Sequence, residues 1–154
     1  MTVVLGIDPG CSGALVLITG QGGYIDHLAM PTIKVGTKSR VNGAAVAAWI
    51  RQYGVSHAYL EQVGAMPGQG TASMFTFGHA AGVVEGIIQG LGIAYTLVTP
   101  QAWKKSAGLI GSDKDAARSR AIQLYPELRA LDAKAKGQAI ADALLIARFG
   151  IGVK

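Results

Sequence analysis

Three short apolar runs, at residues 2–8, 13–18 and 23–28, fill the start of this chain and are separated by Pro9-Gly10 and by Gly20-Gln21-Gly22-Gly23. Runs of that length, broken by residues that turn the backbone, read as strands of an antiparallel meander. The pattern then alternates. A helix is predicted over Ala44 to Tyr53, a fourth strand over Val55 to Glu61, a long helix from about Ala72 to Leu91, and a fifth strand over Ile93 to Val98. Thr99-Pro100 ends that strand, and Gln101-Ala102-Trp103-Lys104-Lys105 lies on a short helix. A further helix is opened by Ser112, with Asp115 three residues on at capping-box spacing, and stops at Tyr125-Pro126; the last runs from Gly137 to Phe149. Strands first, then strand and helix in turn, predict a three-layer α/β domain with a five-stranded mixed sheet flanked by helices.

The 154 residues are sized for one domain, 1–154, and 50% hydrophobic with only 15% charged supplies a full core and excludes a disordered linker. The longest apolar stretches are interrupted by Gly, Asp or Thr well short of a bilayer, and the start lacks a basic segment followed by an unbroken apolar one. No membrane association is expected, and a soluble protein retained in the cytoplasm is. One cysteine, Cys11, can form neither an internal disulfide nor a zinc site and reads as a small turn residue. Fourteen basic against nine acidic residues give a net charge of +5, which fits a polyanionic partner.

The acids are unusually placed. Val3-Val4-Leu5-Gly6-Ile7-Asp8 ends an apolar strand in a carboxylate, Glu61 closes Ala58-Tyr59-Leu60-Glu61, and Asp142 sits inside Ala139-Ile140-Ala141-Asp142-Ala143-Leu144-Leu145-Ile146. A charge in such surroundings needs a partner, and three of them predict one shared cation site. Oxygen-only ligands select Mg²⁺, with Mn²⁺ able to substitute, over zinc. His27, His57 and His79 share no ligand spacing, and Trp49 and Trp103 are explained by packing, so none of these enters the predicted site. Thr32 to Asn42 carries Lys34, Lys38 and Arg40 among Gly, Thr and Ser and reads as a mobile basic loop able to touch phosphate. Gly78, Gly82, Gly86 and Gly90 repeat every four residues on the long helix, a costly stripe that implies close packing. Its partner is either the domain's own sheet or a symmetry mate of the same helix. Glu85, between two of those glycines, reads as a solvated or interface-rim charge.

Leu5-Gly6-Ile7-Asp8-Pro9-Gly10, Leu60-Glu61-Gln62-Val63 and Ala141-Asp142-Ala143-Leu144-Leu145-Ile146-Ala147 resemble the three acidic motifs of RuvC-type Holliday junction resolvases, across essentially the full length. Ala65-Met66-Pro67-Gly68-Gln69-Gly70, Ser73-Met74-Phe75 with Phe77-Gly78, and Thr99-Pro100-Gln101-Ala102-Trp103-Lys104 are similar to the phage-type branch of that family. The resemblance implies a ribonuclease H-like fold in which the strands bearing Asp8 and Glu61 are neighbours. It further implies a homodimeric, Mg²⁺-dependent endonuclease of a bacterial or phage-infected cell that nicks two opposed strands of a four-way DNA junction. Asp8 would bridge two ions, with Glu61 on one and Asp142 on the other. The family's lysines beside the scissile phosphate fall on Lys104 and Lys114, with Lys105 the competitor for the first role and otherwise a DNA contact.

Two positions depart from the family pattern. The fourth acid usual one turn before the last aspartate is replaced by Gln138 and Ala139. Gln138 can offer a neutral oxygen to the metal, and Asp132 is a second candidate outside the predicted helix, so a weaker second metal site is expected. Gly64 stands where bacterial relatives carry a base-stacking aromatic. Met66, in a loop with Gln69 as a further DNA contact, is the alternative wedge, while Phe75 and Phe77 are expected to face the core. A phosphate-binding ATPase fragment is disfavoured for want of a second closing domain. A catalytically weakened junction-binding protein of the same fold is the alternative to the nuclease.

Overall fold

The computed structural model describes residues 1–154. Strands β1 (Val3–Asp8), β2 (Ala14–Thr19) and β3 (Tyr24–Ala29) form the antiparallel meander. β6 (Val55–Glu61) lies parallel to β1 on its other side, and β7 (Tyr95–Val98) parallel to β6, giving a five-stranded mixed sheet in the order β3-β2-β1-β6-β7. The Ile7–Leu60 register brings the last residues of β1 and β6, Asp8 and Glu61, out at the same sheet end. The five-stranded mixed sheet, with the strands of Asp8 and Glu61 as neighbours, matches the sequence expectation.

Every residue from Val3 to Ile7 is buried, as a central strand covered on both faces requires. On one face Leu5, Ile7, Leu15, Leu17 and Leu60 pack against Val46, Trp49 and Ile50 of α1 (Gly43–Arg51) and Ala80, Val84 and Ile88 of α2 (Thr71–Gly90). On the other, Val4, Val16 and Ile18 meet Ala121 of α4 (Ala116–Leu124) and Ile140, Ala143, Leu144 and Ala147 of α5 (Lys134–Gly150). Between β7 and α4, α3 (Pro100–Ser106) is started by Thr99, whose hydroxyl accepts the Ala102 N–H at 3.2 Å, with Pro100 in the first turn. No helix is long and apolar enough to cross a membrane.

Gly6 sets how closely α5 approaches the sheet. A Cβ there would collide with the Ala143 carbonyl oxygen and stand 2.7 Å from the Ala147 Cβ. Only a residue without a side chain lets the turn of α5 that carries Asp142 lie this close to β1.

Several expectations are corrected. Thr32 to Asn42 is a β-hairpin, β4 (Thr32–Val35) and β5 (Lys38–Val41), rather than a loop. Gly36, at a φ of 62°, lets the two-residue turn Gly36-Thr37 close it. The helix predicted from Ser112 begins at Ala116, because the Asp115 carboxylate is taken by Arg118 at 2.8 Å instead of capping. The guanidinium of Arg118 also reaches the carbonyl oxygens of Leu131 and Asp132 in a 3₁₀ turn, Arg129–Asp132, that directly precedes α5. α5 itself starts three residues before the predicted Gly137. The glycine stripe does not touch the domain's own sheet: Ala80, Val84 and Ile88 do, and a Cβ at Gly78, Gly82, Gly86 or Gly90 would meet nothing within 4 Å. Glu85 is partly buried and accepts the Tyr95 hydroxyl at 2.6 Å, so it is not a free charge.

Candidate active site

The ends of β1 and β6 and the middle of α5 carry Asp8, Glu61 and Asp142, and the fold brings these into electrostatic contact. Burial, then the charges of Asp142 and Glu61, raise the Asp8 carboxyl well above its ordinary range. Burial and Glu61 push Asp142 from 3.8 to about 7. Burial also raises Glu61. Burial is the largest cause throughout, because apolar elements strip water from each acid, and carboxylate repulsion adds to it at Asp8 and Asp142. One cation opposes all three shifts, Lys104, whose charge favours the ionised form of each. No three His, Cys, Asp or Glu side chains are gathered tightly enough to enclose one ion. The three acids are linked here through charge, with Asp8 feeling both Asp142 and Glu61.

Two side chains fix the carboxylates. Gln138, one turn before Asp142 on α5, donates its amide N–H to Asp142 Oδ1 at 3.1 Å. Trp103, buried on α3, donates its indole N–H to Glu61 Oε2 at 2.7 Å. Trp103 thus belongs to the site from which the sequence reading excluded it. A buried indole N–H seeks an acceptor, and the adjoining Lys104 was the available clue.

A hollow of about 330 Å³ is lined by Lys104, Lys114, Asp113, Gln138 and Asp142, so both predicted lysines and the glutamine meet there. Asp113 was not foreseen. Asp132 is engaged by Arg129 at 2.8 Å and is absent from that lining. A second hollow of about 610 Å³ on the Asp8 side is lined by Lys38, Gln69, Thr76 and Phe77, with Cys11 in the turn. A third, of about 550 Å³, adjoins it between the hairpin and α2 and contains Lys38, Arg40, Phe75 and His79. Arg40 donates to His79 Nε2 at 3.1 Å and lies 6.0 Å over the Phe75 ring. Phe75 is 64% exposed, contrary to the core position expected for it, because the face of α2 that meets the core is the one with Ala80 and Val84. Lys34 donates to Ser39 on the hairpin, Met66 is exposed in its loop, and Lys105 is exposed on α3; none of the three lines these hollows.

The sheet order and the acids at its end define a ribonuclease H-like α/β domain. The chain belongs to the RuvC family, whose model, described as crossover junction endodeoxyribonuclease RuvC, matches residues 4–149. Among solved structures it is similar to Thermus thermophilus RuvC in complex with a Holliday junction substrate, at 18% identity and a TM-score of 0.66 over 96% of this chain and 90% of that one. A second Thermus thermophilus RuvC structure matches at 19% identity and a TM-score of 0.59, covering 97% and 98%. The chloroplastic Holliday junction resolvase MOC1 of Chlamydomonas reinhardtii is 31% identical over 97 residues, 62% of this chain but 11% of that protein.

Proposed function

We propose that this chain is a divalent-metal-dependent endodeoxyribonuclease that resolves four-way or otherwise branched DNA junctions inside the cell by paired nicks from a homodimer. The observation that carries the reading is the cluster of Asp8, Glu61 and Asp142, each raised in pKa chiefly by burial and opposed by Lys104, beside a hollow lined by Lys38 and Gln69. A nearby cation favours the charged forms of three carboxyls that burial holds above their ordinary range, so the donor set fits Mg²⁺, or Mn²⁺ in its place. Asp8 would be shared between two ions, with Glu61 on one and Asp142, assisted by the Gln138 side chain, on the other. A pair of such ions supplies water activation and stabilises the leaving oxygen of an in-line phosphodiester displacement.

The protein's own residues do the rest. Lys104 presents an ammonium to the charge that develops on the phosphate, and Lys114 adds a second from the wall of the same hollow. Lys34, Lys38 and Arg40 on the hairpin, with Gln69, Met66 and Lys105, form the DNA-contacting surface, in keeping with the +5 net charge. The open glycine face of α2 supports a two-fold dimer through Gly78, Gly82, Gly86 and Gly90, which would offer two sites to two symmetry-related phosphates.

One observation favours a second reading, a junction-binding protein with weakened catalysis: Gln138 brings no negative charge to the Asp142 side of the cluster. Cleavage of a synthetic four-way junction, compared with linear duplex in Mg²⁺ and in Mn²⁺, separates the two. The nuclease reading expects junction-selective products that vanish in Asp8→Ala while binding persists. A salt-sensitive gel shift with no product in either metal would leave the binding protein instead, and undiminished cutting by Asp8→Ala would remove the mechanism.

A further inference from the structure

The geometry points to Trp103 as a positioning residue for this site, one indole holding Glu61 through its N–H and Lys104 through its ring. The inference rests on the nuclease reading above and concerns how its parts are held.

Trp103 is 1% exposed, and its single hydrogen-bonding atom meets Glu61 Oε2 at 2.7 Å, across 42 positions of sequence. An indole N–H donates and cannot accept, so the bond commits one Glu61 oxygen and leaves the other free for a cation. The Lys104 Nζ lies 5.6 Å from the centre of the Trp103 ring, an arrangement in which the π face attracts the ammonium. The ring is itself immobilised by Val98 of β7, Ala117 of α4, and Leu145 and Ile146 of α5. Those last two lie one turn beyond Asp142, so the indole is wedged against the helix that delivers the third carboxylate. The Thr99 cap and Pro100 fix the start of α3 and with it the height of the ring. Removing Trp103 would free the Glu61 carboxylate to turn and release Lys104 from its support. Outer partners of this kind typically carry about 10- to 100-fold in metal affinity or activity.

Trp103→Phe keeps an aromatic ring in the core and deletes only the donor. Calorimetric titration of the DNA-free protein with Mn²⁺ should show affinity weakened by about ten-fold or more. Cleavage at fixed Mg²⁺ should fall and recover in part at higher Mg²⁺, while metal-free junction affinity stays unchanged. A folded Trp103→Phe protein with wild-type Mn²⁺ affinity overturns the inference. A second measurement needs no change at Trp103. The chain has two tryptophans, so a nitrogen-15 correlation spectrum has two indole signals, and Trp49→Phe identifies which is which. Mg²⁺ titration and Glu61→Gln should each shift the Trp103 signal and leave that of Trp49 in place; a Trp103 signal that ignores both overturns the inference whether or not the phenylalanine variant folds. A wild-type chain that neither binds Mn²⁺ nor cuts a junction removes the nuclease reading and this inference together, whereas a null result for Trp103→Phe on an active wild type removes the inference alone.

Discussion

Replacing Asp142 by Asn should make the metal-free protein more stable, and increasingly so as pH rises above about 4. Its carboxyl is pushed from 3.8 to about 7, chiefly by burial and secondly by Glu61. Between those two values the folded chain holds a proton that the unfolded chain has lost, so native stability declines as pH rises from about 4 to about 7. The full displacement corresponds to about 4 kcal/mol, and water entering the open cleft screens part of it, leaving about 2 kcal/mol. Asn keeps the oxygen that accepts from Gln138 Nε2 and has no proton to surrender. For a chain of this size about 2 kcal/mol moves the melting temperature by roughly 4 to 8 °C. Thermal unfolding in EDTA across pH 4 to 8 should therefore show Asp142→Asn melting higher at pH 8 and level with wild type near pH 4. Added Mg²⁺ should stabilise the wild type and do little for the variant. A variant that melts at or below wild type at pH 8, or a gap that does not change with pH, would refute the argument that buried repulsion dominates this site.

Lys104→Ala should lower the rate of junction cleavage by about 100-fold, the scale of losing one charge-stabilising donor, with metal-free junction affinity nearly intact; a rate within two-fold of wild type would reassign the lysine to the surface. Gly6→Ala drives a methyl into the Ala143 carbonyl and the Ala147 side chain, and overpacking of that kind costs about 1–3 kcal/mol. It should lower the melting temperature and cleavage together, and an unchanged melting curve would show that α5 can retreat without loss. Gly82→Ala with Gly86→Ala meets open space in the single chain, so each should stabilise the isolated helix by roughly 1 kcal/mol. Sedimentation should meanwhile show a weakened dimer; a dimer as tight as wild type would take the stripe out of the interface.

Much of the fold is legible in the chain because hydrophobic periodicity is local. Val3 to Ile7, Ala14 to Ile18 and the run from Ala139 to Ile146 declare their strands and helix by which residues are apolar. Asp8, Glu61 and Asp142 stand out as acids where water is scarce. The hairpin at 32–41 was not legible: Ile33 and Val35 alternate with Lys34, but the surrounding polar content reads as a loop until the Gly36 turn is seen to close. The capping signal at Ser112 misled because a carboxylate can serve a helix end or an arginine, and Arg118, tied to the 3₁₀ turn, takes Asp115. The exposure of Phe75 depends on which side of α2 meets the sheet, and the helix's seven Ala and Gly residues leave that choice open.

By itself, the sequence determined the five strands of the main sheet and the helices around them, the three acids and the likeness to a nuclease family, for these are properties of neighbours along the chain. The tertiary structure decided that Gly6 admits α5, that Trp103 grips Glu61 from 42 positions away and that the glycine stripe faces outward. Such contacts depend on sheet register and on the distance between layers, quantities set by the packing of the whole core rather than by any one segment.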